Sequence, residues 1–183
     1  MPDDKSQRLE HRLVYDGSIV RLELDRVIEP SGIEVTREVV RHSGAVVVLP
    51  IMDDGRIVLI RQYRYAVDRT MLEVPAGRLE PGEVPEDAAR RELQEETGYY
   101  AHELTPLTSI FPAPGYTDEK MFLFRATRLE LRESSPDEDE SIEVVPMSRR
   151  EALEILHRAD GADAKTLLAL TYADAPENTS QEP

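Results

Sequence analysis

Ala45 to Ile51 form a nearly continuous apolar run. It is short and bounded by turn signals, so it reads as a buried strand. Asp53-Asp54-Gly55 turns the chain into a second strand, Ile57 to Tyr63. Upstream, Val20, Leu22 and Leu24 alternate with Arg21, Glu23 and Asp25, the period of a half-buried strand. Glu29-Pro30-Ser31-Gly32 is a turn signal, and Ile33 to Arg41 resumes an extended pattern. This predicts a hairpin with one apolar face ahead of the main body. Met121 to Leu129 and Ile142 to Met147 read as later strands.

Helix signals begin at Pro85, a good first-turn residue. Glu86 to Thr97 carries no breaker, and Gly98 is a natural stop. Ser148 and Glu151 read as a capping box for a helix to about Ala159. Asp163 is placed to cap a further helix ending near Tyr172. The tail from Ala175 is polar with two prolines and reads as disordered. The expectation is an α+β chain in three parts: an N-terminal β extension (1–42), a main domain (43–173) and a tail (174–183).

Charge and composition narrow the partners. The formal net charge of -15 repels nucleic acid and anionic membranes at long range. No apolar run reaches the length of a membrane span, and Met1 to Glu10 lacks the core of a signal peptide. Without cysteine there are no disulfides or thiolate metal sites. Together these favour the cytoplasm. His11, His42, His102 and His157 share no metal-ligand spacing and read as incidental.

The chemistry concentrates between Gly77 and Tyr99. Glu92 shares a helix face with Glu95 and Glu96, three and four residues on. Like charges at that spacing cost roughly 0.2–0.5 kcal/mol per pair. Anions at a helix C-terminus cost about 0.3–1 kcal/mol more. A divalent cation held between them would remove both penalties, and hard carboxylate oxygens suit magnesium or manganese. The plain alternative is a solvated acidic helix end.

The neighbouring residues decide between these. Gly77 is followed after five residues by Glu83, and after seven more by Arg91-Glu92-Leu93-Gln94-Glu95-Glu96-Thr97-Gly98. This resembles the signature of the Nudix hydrolases at every charged and glycine position. Tyr99 departs from it, at a usually aliphatic packing position. The resemblance implies a Nudix fold, with mixed β-sheets sandwiched between helices and an antiparallel N-terminal extension. It implies Glu92, Glu95, Glu96 and the Ala76 carbonyl as metal ligands. Glu83 and Arg91 would form a structural ion pair, with Gly77 and Gly98 as structural positions. Ala89 and Leu93 would face the core. The reaction implied is hydrolysis of the pyrophosphate bond of a nucleoside diphosphate derivative. Bound Mg2+ or Mn2+ would neutralise the phosphate oxygens and offset the acidity of the chain.

Flanking residues narrow the substrate. Phe111-Pro112-Ala113-Pro114-Gly115-Tyr116 resembles the proline-glycine-aromatic loop of ADP-ribose pyrophosphatases, with Pro114 as its substrate-side proline. Pro136-Asp137-Glu138-Asp139-Glu140 resembles the acidic loop that supplies a catalytic base in that subfamily. Glu138 is the first choice and Glu140 the second. Arg61 and Arg64 suit phosphate oxygens. Glu73 suits ribose hydroxyls or a substrate arginine, and Tyr15 and Tyr63 are candidates to stack on a base. ADP-ribose, giving AMP and ribose 5-phosphate, is the leading substrate. A nucleoside diphosphate sugar such as GDP-mannose is the second. A non-catalytic ADP-ribose sensor is the alternative of another class. Relatives of this kind also imply a homodimer built on the N-terminal sheet.

Overall fold

The computed structural model describes residues 5–133 and 141–173. Two compact units separate by their contacts. One holds the chain up to Gly44 together with Phe111–Lys120; the other holds Ala45–Ile110 and the chain from Met121.

The first unit is an antiparallel sheet of β1 (Gln7–Asp16), β2 (Arg21–Ile28) and β3 (Glu34–Arg41), in that order. The alternation of β2 runs opposite to the expected sense. Glu23, Asp25 and Val27 are its buried residues, while Leu22 and Leu24 are half-buried on the other face. Ion pairing is the reason, because a buried carboxylate needs a cationic or hydrogen-bonding partner. Arg41 donates from Nε to Glu23 at 2.8 Å and from Nη2 to Asp25 at 3.4 Å. Arg21 Nε lies 3.3 Å from Glu23, and His11 Nδ1 lies 2.7 Å from Asp25. His11 is therefore not incidental. With Glu23 and Asp25 it places three ligand-type atoms within 4.8 Å of one another. Arginine cations already answer both carboxylates there, so pairing accounts for the cluster. The segment Phe111–Lys120 is fastened to the end of β3. Val40 N–H donates to Tyr116 O at 2.8 Å, and Asp118 accepts from the His42 backbone at 3.0 Å and from Arg41 Nη1 at 3.1 Å.

Among the described residues, the second unit contains two sheets and three α-helices. Its strands are β4 (Ala45–Pro50), β5 (Ile57–Arg64), β6 (Arg69–Glu73), β7 (Ala76–Arg78), β8 (Tyr99–Ile110), β9 (Met121–Leu131) and β10 (Ile142–Met147). Its helices are α1 (Pro85–Thr97), α2 (Arg149–Arg158) and α3 (Ala164–Thr171). The strand orders are β10-β5-β6 and β7-β4-β9-β8. β4 and β9 run parallel and the other pairs antiparallel, so the larger sheet is mixed.

β4 explains its own continuous apolar run. Val46 and Val48 pack with Ala88, Ala89 and Leu93 of α1, Ala101 of β8, and Phe124 and Ala126 of β9. Val47 and Leu49 point the other way. They pack with Ile57 and Leu59 of β5, Leu72 of β6, Leu156 of α2 and Leu170 of α3. Both faces of β4 are covered, so both must be apolar.

β1, β6, β7 and β8 lie where the sequence pattern signals no strand. β1 is exposed along its whole length, Leu9, Leu13 and Tyr15 included. β6 and β7 span five and three residues. β8 is an edge strand, and its Pro106 sits at a register shift against β9. The helix expectations hold closely. α1 begins at Pro85 and ends at Gly98, whose φ of 75° is the left-handed conformation that glycine adopts without strain. Ser148 and Asp163 accept hydrogen bonds from Glu151 N–H and Thr166 N–H, capping α2 and α3.

Candidate active site

α1 and the short strand β7 build the site. The Glu92 carboxylate of α1 fills the space beside Gly77 that a side chain would take. A Cβ there would lie 1.9 Å from Cδ of Glu92. Beside it, the Ala76 N–H donates to Oε2 of Glu96 at 3.1 Å, and Glu96 is buried. Glu92 and Glu95 are joined through one cation, because Arg91 Nη1 donates to Glu92 Oε1 at 2.8 Å and Glu95 Oε2 at 3.0 Å.

Arg91 has a second task. Its Nε and Nη2 each reach a different oxygen of Glu83 at 2.9 Å, the bidentate geometry of a strong pair. Nη2 also donates to the Arg78 carbonyl at 3.2 Å. The loop between β7 and α1 is thereby clamped to the helix. The Arg91 hydrogen bond holds the Glu83 carboxyl below the usual carboxylate range. The Glu83 hydrogen bond in turn raises Arg91 well above its ordinary value.

The donor set fits a hard divalent cation. It consists of carboxylate oxygens on successive turns of α1, with the Ala76 backbone alongside. The carboxylates of Glu92, Glu95 and Glu96 do not come within 4.8 Å as a group; among the described residues only the His11 cluster does. Arg91 stands between Glu92 and Glu95, and Glu96 turns to the Ala76 N–H.

The structure brings Arg64 and Glu73 together. Arg64 Nε and Nη2 each donate to a separate Glu73 oxygen at 2.8 Å. Arg64 is held charged by this hydrogen bond first, and it also feels Glu96 and Asp163. Burial pushes the Glu73 carboxyl up, but Arg64 and Lys165 more than offset it, so the carboxyl lies below its ordinary value. Arg61 does not join them. Three residues from Arg64 on one strand, it projects from the opposite face and pairs with Glu143 of β10 at 3.2 Å. Tyr63 is half-exposed and its hydroxyl donates to Asp68 at 2.7 Å. Tyr15 and Pro114 are exposed residues of the first unit. Glu138 and Glu140 lie outside the described residues.

The sequence reading missed Lys165. Its ammonium contacts Glu73 Oε2 and lies 3.1 Å from Asp163 Oδ2. Nothing in the pattern marks it, since only the fold brings residues 92 positions apart into contact.

A NUDIX domain model matches residues 40–170. The chain belongs to the NUDIX family. It is 40% identical over 166 residues to the ADP-ribose pyrophosphatase of Bacillus subtilis, covering 90% of each chain. It is 38% identical, with the same coverage, to a methanol dehydrogenase activator of Bacillus methanolicus. Among solved structures it is similar to an ADP compounds hydrolase, with a TM-score of 0.79, 28% identity and 91% of each chain covered. In this Nudix chain, Glu92, Glu95 and Glu96 lie on α1 within the matched span, with Gly77 and Glu83 ahead of the row.

Proposed function

We propose that this Nudix chain is a pyrophosphohydrolase that splits ADP-ribose into AMP and ribose 5-phosphate. The observation that carries the reading is the row Glu92, Glu95 and Glu96, set against Ala76 and Gly77 and clamped by Arg91 and Glu83. The likeness to an ADP-ribose pyrophosphatase supports the substrate.

Glu92, Glu95, Glu96 and the Ala76 carbonyl would hold Mg2+, with Mn2+ able to replace it. When bound, the ion neutralises the oxygens that otherwise repel a nucleophile from a pyrophosphate. The remaining work falls to the chain. Arg64, fixed by Glu73, presents donors to a phosphate oxygen. Glu138, or Glu140 after it, takes the proton of the attacking water, because the carboxylates of Glu92, Glu95 and Glu96 are committed elsewhere. Tyr15, Tyr63 and the Pro114 loop are the candidate contacts to the nucleoside. Arg61, turned to Glu143, has the weakest case as a phosphate ligand. Residues 1–42 act as a dimerisation extension to the catalytic part, 43–173, in a homodimer working in the cytoplasm. No helix among the described residues is long and apolar enough to cross a membrane.

Hydrolysis rates for ADP-ribose, GDP-mannose and other nucleoside diphosphate sugars, ranked by kcat/KM with magnesium, test this. ADP-ribose should rank first, and chelator should abolish turnover. GDP-mannose in first place would move the substrate to the nucleotide sugars. Tight ADP-ribose binding without phosphate release would make the chain a sensor.

A further inference from the structure

Residues 73 to 76 join the edge strand β6 to the site strand β7, and each is held by a separate partner. Glu73 is held by Arg64 and Lys165, and Val74 N–H by Thr166 Oγ1 at 2.8 Å. Pro75 O accepts from Val48 N–H at 2.9 Å, and Ala76 N–H donates to Glu96. Two of these partners, Lys165 and Thr166, come from the first turn of α3. Asp163 organises that turn, accepting from Thr166 N–H at 2.9 Å and from Thr166 Oγ1 at 2.5 Å while facing Lys165.

The tie of α3 to the sheet backbone is already made by Thr166. Lys165 does something different: its ammonium pairs with the carboxylate of Glu73 and with the capping Asp163. Glu73 is 2% exposed, so its carboxylate meets protein donors rather than water. Arg64 uses one edge of its guanidinium on Glu73 and is partly open to solvent. Arg64 and Lys165 balance Glu73 and Asp163 in charge, which allows the carboxylate to stay ionised when buried. Arg64 meets both oxygens of the Glu73 carboxylate, and Lys165 contacts Oε2 of the same group.

We propose that Lys165 is a positioning residue for substrate binding, holding Glu73 so that Arg64 is aimed at a phosphate oxygen of the nucleoside diphosphate. The proposal rests on the pyrophosphohydrolase reading for its ligand, though not for the geometry of Arg64.

The test uses Lys165→Met, Lys165→Arg, Glu73→Gln and the double variant Glu73→Gln/Lys165→Met in the full chain with magnesium. Lys165→Met should raise KM for ADP-ribose about tenfold, the scale of one charge-assisted hydrogen bond, with kcat within about threefold. Lys165→Arg should recover most of the loss. In the Glu73→Gln background, Lys165→Met should change KM by less than about twofold, because the two act in series. A second arm needs no substrate. The Arg64 Nε–H NMR signal, assigned by its loss in Arg64→Lys, should exchange slowly in the parent and in Lys165→Arg, and quickly in Lys165→Met. If Lys165→Met fails to fold, Lys165→Gln takes its place. A lowered Tm with unchanged KM and an unchanged Arg64 signal would make Lys165 merely structural and overturn the proposal. Additive losses in the double variant would do so too, since Lys165 would then touch substrate itself. If the parent does not turn over ADP-ribose, the substrate reading falls, and the Arg64 signal alone supports or overturns the positioning role.

Discussion

At the scale of single residues, the site depends on a missing side chain as much as on charged ones. The Glu92 carboxylate stands where a Cβ of residue 77 would lie, so a side chain there must push that carboxylate aside. Gly77→Ala should leave circular dichroism unchanged but displace Glu92, with kcat/KM falling about 10²-fold, the scale of a 1 Å misplacement. A variant with parental kcat/KM at every magnesium concentration would show that Glu92 need not sit there. The pair of Glu83 and Arg91 separates stability from chemistry. Glu83→Gln removes the bidentate clamp on the loop, so Tm and rate should both fall. Glu96→Gln should keep the fold and lower kcat by about 10²–10³-fold, since its loss acts on transition-state charge. Calorimetry beside steady-state rates checks both; a large loss of metal binding at unchanged Tm in Glu83→Gln would make Glu83 a ligand.

At the scale of elements, α1 is a packing helix that also carries the glutamate row. Ala88, Ala89 and Leu93 are fully buried on one side, against β4, β8 and β9. Glu92 and Glu96 lie on or beside that same side, with Glu96 itself buried, at an end where the helix dipole disfavours anions. Arg91 offsets that cost by bonding Glu92 and Glu95. Ahead of β10, the sequence from Asp137 to Glu140 is wholly acidic. Glu138→Gln should depress kcat by about 10²–10⁴-fold with KM nearly unchanged, and Glu140→Gln should do less. Near-normal kcat in both singles and in the double variant would place the base elsewhere.

At the scale of the whole molecule, charge and assembly dominate. Glu73 has a folded pKa below its unfolded one. Its contribution to stability is full above the unfolded value of about 4.3, and is lost as pH falls through the lower folded value. Tm should therefore fall steeply below about pH 4, and Glu73→Gln should flatten that part of the profile. An unchanged slope in the variant would mean that other carboxylates set the acid limit. The chain should also weigh as two copies in light scattering at working concentration. A stable monomer with full activity would reject the dimer and the role given to residues 1–42.

The apolar run of β4, the breaker-free α1 with its glycine stop and the caps of α2 and α3 were legible in sequence. Each depends on contacts within a few residues, or on a local period that burial imposes. The spacing of Glu92, Glu95 and Glu96 was legible for the same reason: a helix turns sequence intervals into a shared face. Tertiary structure alone decided which face of β2 turns inward. There the partners of Glu23 and Asp25 come from β1 and from the end of β3, and paired charges displaced leucines from the buried side. It also gave Arg61 the partner Glu143 and Glu73 the partner Lys165. A local pattern records the period of an element, but not which distant charge will meet it once the chain has closed.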